Sequence, residues 1–196
     1  MDCNCPASTA LTEIETQDCP FNLTQIQKLG FQRGGTAFES ASAIGILSNW
    51  QALKTATDET KIVITPLIGG DPVIESGEAI TTGGGDNSTL NGVEEIEGVN
   101  PSTFSAMFKS LSPAIESQIK KLMCEQNLVV YFFLQGGKIA YAKELTGFEI
   151  QSFFLSDRNN AGYGQKDTFT CRFSMPAGWS EKLEIVKPDF NPLTEL

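Results

Sequence analysis

Residues 112–143 read SPAIESQIKKLMCEQNLVVYFFLQGGKIAYAK, and the architecture of the chain is set by this stretch. Ser112 offers a hydroxyl to cap a free backbone N–H. Pro113 stands at the first helical position, where its missing donor costs nothing. Ile115, Ile119, Leu122 and Met123 recur at helical spacing as one apolar stripe. Lys120 and Lys121 come near the end, where they favour the negative pole of the helix dipole. The spacing predicts a helix over about 112–126. Leu128 to Leu134 is then too β-branched and aromatic for anything but a buried strand. Gly136-Gly137 turns the chain, and Lys138 to Lys143 returns with alternating polarity, as in a hairpin.

Around this helix and hairpin, the 196 residues make one domain, or one domain with a large insertion. A chain of this length buries about 70% of its unfolded surface and needs no staples. The net charge of −10 argues against wrapping nucleic acid or lying on an anionic membrane, both of which need Lys and Arg. It suits a channel wall past which DNA moves without adhering. No stretch approaches the roughly 20 apolar residues of a membrane span, and the start lacks the basic and apolar regions of a secretion signal. The expectation is a protein made in the cytoplasm.

Residues 1–20 are polar and acidic and predict an extended N-terminal arm; residues 21–196 form a single β-sandwich domain. Ile26 to Phe31 predicts a first strand before Gly34-Gly35. Ser48 to Ala56 predicts a short helix with Ser48 as its cap and Trp50, Leu53 and Ala56 on one side. Lys61 to Thr65 reads as a strand that Pro66 makes an edge. Phe148 to Leu155, Thr168 to Ser174 and Glu181 to Val186 follow as strands, and Lys187 to Pro192 cannot continue a sheet. The fold class is α+β, mainly β: an antiparallel β-sandwich or barrel with one principal flanking helix and a long acidic loop or hairpin insertion.

That insertion is 66–103. Asp71, Glu75, Glu78, Asp86, Glu94, Glu95 and Glu97 all fall inside it, and no basic residue lies between Lys61 and Lys109. Short strands are expected near Ala79–Thr82 and Val93–Val99. So long an excursion from a compact domain is functional or disordered. In a symmetric ring its carboxylates would multiply around one space, a repulsion tolerated only for a functional return.

Recognisable chemistry is sparse. The chain has no histidine, which excludes Ser-His-Asp and Cys-His catalysis. Gly83-Gly84-Gly85-Asp86 lacks the Lys-Ser/Thr of a phosphate cradle. Asp157 to Gly162 has Ala161 where a calcium loop needs an oxygen, so it reads as a plain turn. Glu94, Glu95 and Glu97 read as a solvated face rather than a glycosidase pair. Of the five cysteines, Cys3, Cys5 and Cys19 could supply metal thiolates, but Cys-x-Cys is not the zinc spacing. The cysteines read as reduced thiols, with Cys124 and Cys171 in apolar contexts. No cofactor, metal or catalytic residue is expected. Trp50 and Trp179 read as core plugs. The Phe132-Phe133 and Phe153-Phe154 doublets place an aromatic on both sheet faces, so one face must be covered by the helix or by another subunit.

Three pieces resemble a group of similar-length proteins encoded by phages and prophages. These are Cys19-Pro20 through Gln32-Arg33; Thr82 to Gly85 with Gly92 to Ile96 and Pro101 to Phe104; and Phe153 to Leu155 through Trp179-Ser180, ending in Pro188 to Leu193. The architecture also resembles the tail tube proteins of long-tailed bacteriophages and the related tube protein of type VI secretion systems. That resemblance implies a non-enzymatic virion subunit, assembled in the host bacterial cytoplasm. It implies hexameric rings, an insertion that reaches the adjacent ring, and an acidic lumen for the genome. Its partners would be further copies of itself, other tail proteins and DNA passing without specific binding, with no membrane. The other readings are a head–tail connector, tail terminator or capsid-decorating protein, and a small β-sandwich ligand- or carbohydrate-binding module.

Overall fold

The computed structural model describes residues 13–16, 21–85 and 87–196. The extended arm expected over 1–20 falls almost wholly outside them, as do Cys3, Cys5, Cys19 and Asp86. Along the chain come β1 (Ile26–Arg33), α1 (Ala41–Ile44), α2 (Leu47–Thr55), β2 (Val63–Ile64), β3 (Val73–Glu75), β4 (Ala79–Thr82), β5 (Glu95–Val99) and β6 (Ser102–Lys109). Then follow α3 (Pro113–Lys121), β7 (Leu128–Leu134), β8 (Lys138–Ala142), β9 (Phe148–Glu149), β10 (Gln151–Leu155), β11 (Thr168–Met175), β12 (Leu183–Val186) and α4 (Pro192–Glu195).

These strands make two antiparallel sheets and one separate hairpin. The larger sheet runs β12-β8-β7-β1-β2, with β9 also paired to β7; the smaller runs β10-β11-β6-β3. The inner faces meet in a core of aromatic rings: Phe104 stacks on Phe173 at 4.5 Å, and Phe31 meets Phe153 edge-on at 5.0 Å. Cys171 is buried there, and desolvation pushes its thiol up to about 12.

The predicted helix and hairpin are both present. The Ser112 hydroxyl accepts a bond from the Ile115 N–H, and Pro113 opens α3. Three residues of tighter helix, Leu122–Cys124, extend it. The stripe is narrower than expected: Ile119 is buried, Ile115 and Leu122 pack against the core, and Met123 and Cys124 are exposed. The tightened last turn rotates those two out of the helical period.

Sheet coverage is the main departure from the pattern. Lys138 to Ala142 alternates in polarity, yet Ile139, Ala140, Tyr141 and Ala142 are all buried. The outer face of the larger sheet carries Tyr131, Phe133 and Ile139, and α1, α2 and the C-terminal tail cover it. Trp50 of α2 sits there fully buried, 5.2 Å from the Tyr131 ring, beside Phe190, Leu193 and Leu196. The second aromatic face is therefore covered from within the chain, by α2 rather than α3. Helix α2 starts at Leu47 with no side-chain cap, so Ser48 lies inside it. Its start is fixed instead by an elbow with α1, where the Asn49 amide donates to the Ala43 carbonyl and the Trp50 indole to that of Ile44.

Phe148 to Leu155 is also two strands rather than one. Residues Phe148–Glu149 pair β7, and Gln151–Leu155 pair β11 in the other sheet. The chain crosses between layers at Ile150, helped by the positive φ of Ser152. Phe153 then points into the core, whereas Phe154 is exposed.

Candidate assembly arm

β3 and β4 run out along the chain, and β5 and β6 run back, as one ribbon. Glu75 pairs Thr103 in the smaller sheet, and Ala79 pairs Val99 in the hairpin; four residues outward in one strand match four in the other. The register therefore stays in step across Ser76, Gly77 and Glu78, where ladder pairing lapses and the Asn100 N–H donates to the Glu78 carbonyl at 2.9 Å. Gly77 is required at this root: any Cβ there would collide with the Asn100 carbonyl. Beyond it the register shifts by one between Ile80 and Thr81, which leaves Glu97 as a bulge. At about 3.3 Å per residue, the ribbon from Glu75 to Thr82 extends about 23 Å.

This arm leaves the sandwich at a definite end. Ser102 pairs Met175, and Lys109 pairs Thr168, so the smaller sheet has a Ser102–Met175 end and a Lys109–Thr168 end. The arm continues from the first.

Nothing in the described part of the chain covers it: β4 and β5 pair only with each other. Large apolar side chains are nevertheless spread along it. Leu90 is 84% exposed, Val93 57%, Ile96 53%, Ile80 44% and Val99 39%. Ile80 pairs Gly98 on one face, while Ile96 and Val99, paired to Thr81 and Ala79, lie on the other. A lone two-stranded hairpin is marginal in water. Apolar residues on both of its faces belong in contact with something.

The predicted acidic residues are strung along this element and do not converge. Asp71 precedes β3 and accepts a long 3.4 Å bond from the Gln25 amide. Glu75 is on β3 at the root, Glu78 follows Gly77, Glu94 precedes β5, and Glu95 and Glu97 are on it. All six are exposed, and none forms an ion pair among the described residues. Asp86 lies outside the described residues. Among those residues no three His, Cys, Asp or Glu side chains group as metal ligands do.

What the sequence pattern did not single out is the apolar set carried among these acids, and the strand that anchors it. β6 alternates: Phe104, Ala106 and Phe108 point into the core, and Thr103, Ser105 and Met107 point out. With Thr170, Arg172 and Ser174 of β11 they make an outward sheet face of mostly short polar side chains.

No protein-family model matches the chain, and no curated protein does. Solved structures give remote likenesses. One is a chain from the tail of an empty GTA particle, computed with helical refinement in C6 symmetry; it is 10% identical, with 66% of this chain and 88% of that chain covered, at TM-score 0.37. A chain of the native gene transfer agent virion is 12% identical, with 61% and 87% covered, at TM-score 0.35. A chain of the six-fold symmetrised anti-feeding prophage baseplate is 11% identical, with 88% and 99% covered, at TM-score 0.34. Each of these TM-scores is below 0.5, so none of the three likenesses carries functional weight.

Proposed function

We propose that the chain is a structural subunit of a bacteriophage tail, a tail tube protein that self-assembles into stacked rings of six around an acidic passage for DNA. One observation carries this reading: a ribbon rooted in the smaller sheet in matching register, uncovered by the described residues, with apolar side chains 39–84% exposed along it. Such an arm gains its packing from a neighbouring copy. The cost of exposing five large apolar residues is recovered only on assembly, at about 25 cal/mol per Å² buried.

The arm is also the source of the field. The outward face of the smaller sheet carries Glu75, Lys109 and Arg172 among its hydroxyls, which leaves it nearly neutral. The carboxylates of the arm have no cations beside them, and repeated round a ring they repel a polyanion. DNA then passes without specific contacts, and the other partners are tail proteins at the two ends of the stack. The role is mechanical and electrostatic rather than catalytic.

The test is truncation. Residues 79–99 are replaced by a short turn, and mass photometry is run beside the full chain. Folded monomers or single rings that no longer stack are expected. Stacking as efficient as that of the full chain would show that the arm plays no part in assembly.

A further inference from the structure

The two ends of the sandwich differ in shape. At the Lys109–Thr168 end, residues 156–167 join β10 to β11, and the base of this loop is fixed. The Arg158 guanidinium donates to the Asp167 carboxylate at 2.8 Å and to the Leu111 carbonyl at 2.9 Å, and it lies 5.0 Å over the Phe169 ring. The Asn160 amide donates to Asp167, and its oxygen accepts from the Gly162 N–H. The tip is different. Tyr163 stands between Gly162 and Gly164, both at positive φ, and is fully exposed at 107%; it makes no hydrogen bond or ring contact within the described residues. A large amphipathic ring held out on a fixed base has the form of an interface anchor.

At the opposite end, on the β10 side of the smaller sheet, a groove of about 860 Å³ is lined by Phe153, Pro176 and Trp179 and by Glu125, Glu144 and Glu149. Its size suits a compact inserted group. Lys182 in its wall engages Glu144 at 2.9 Å and Arg33 engages Glu125 at 2.6 Å, which leaves Glu149 as the wall's carboxylate with no ion pair among the described residues. Beside Tyr163, Lys166 forms no ion pair among the described residues.

We infer that the Tyr163 loop of one copy seats in this groove of the next copy, head to tail. A projection at one end and an apolar recess carrying Glu149 at the other make a heterologous contact, which propagates from copy to copy. The arm leaves from the groove end, so it lies alongside the same copy whose loop enters the groove. Both contacts then act across one junction. The inference rests on the self-assembly proposed above and specifies its geometry.

The test puts the photo-crosslinking residue p-benzoylphenylalanine at position 163 of the full chain. After irradiation at high concentration, the cross-linked peptides are mapped by mass spectrometry. Intermolecular cross-links to residues 144–153 or 176–182 are expected. Rings or tubes whose cross-links fall elsewhere overturn the loop-in-groove contact and leave the tube reading standing. Groove cross-links within oligomers that never close into rings uphold the contact and count against the tube. No intermolecular cross-link at any concentration overturns it. A charge exchange supplies the second measurement. Lys166→Glu and Glu149→Lys should each lower cross-link yield about two- to fivefold, as for an exposed ion pair, and should restore it when combined. A double variant no better than either single one removes the charge pairing.

Discussion

Trp50 carries more of the structure than its position in a short helix would indicate. Its indole is fully buried and donates to the Ile44 carbonyl at 2.7 Å, and its ring meets Phe38, Tyr131 and Phe133 at 5.0 to 5.5 Å. It joins α2 to the outer face of the larger sheet, and removing it opens a cavity that β7 cannot collapse to fill. Trp50→Ala should cost about 3–5 kcal/mol, read as a lower urea midpoint with the slope unchanged. A loss under about 1 kcal/mol would mean that the second core is dispensable. Nearby, the Tyr141 hydroxyl donates to Glu184 at 2.8 Å, and desolvation, then that carboxylate, push it up to about 12. It stays protonated at neutral pH and ties β8 to β12.

Between elements, α3 is joined to the loop beyond β10 by charge. Lys120 contacts Glu116 and Asp157, and Arg158 contacts Glu116 and Asp167. Hydrogen bonds from Lys120 hold the Glu116 and Asp157 carboxyls below the usual carboxylate range, and those from Arg158 hold Asp167 there. Groups depressed in the folded state contribute stability above their unfolded values, near pH 4, and lose it as pH falls through the folded ones. The urea midpoint should therefore fall with pH below about 4, and Asp167→Asn should make that fall shallower. An Asp167→Asn profile parallel to that of the parent would show that the network contributes nothing. The arm has its own point of failure at Gly77. Gly77→Val should break the ribbon at its root and abolish assembly, with the near-ultraviolet spectrum of the aromatic core intact. Normal assembly by that variant would show that the root geometry is unimportant.

How far these elements can be read from sequence depends on how local their causes are. The start of α3 was legible because Ser112 and Pro113 act within one turn. β7 was legible because a β-branched and aromatic run has few alternatives, β8 because Gly136-Gly137 turns the chain before it, and β11 because its residues alternate. β3 was not, being three residues between Pro72 and Ser76 that are ordered only by pairing with β6. β6 did alternate, but it lies between a Gly-rich acidic segment and a helix cap whose signals are stronger. Burial of both faces of β8 could not be read locally, since α2 and the C-terminal tail that bury it lie some 50 to 90 residues away. At the candidate site the acids were plain in the sequence. Their arrangement along a ribbon, and the apolar residues beside them, depend on a register set at Glu75 and Thr103.

For the molecule as a whole, the sandwich has little need of a partner. Both faces of its larger sheet are covered, and its inner core is packed with stacked rings. Among the described residues, the arm and the groove stand at one end and the Tyr163 loop at the other. Under the proposed assembly, that distribution lets the subunit fold alone and then assemble, and it separates stability from assembly in mutational data. Whether the chain builds stacked rings is decided by negative-stain electron microscopy of the purified full chain, with mass photometry on the same sample. Rings with a central hole that stack into tubes as concentration rises are the expected result. A 21.2 kDa monomer at every concentration would contradict it.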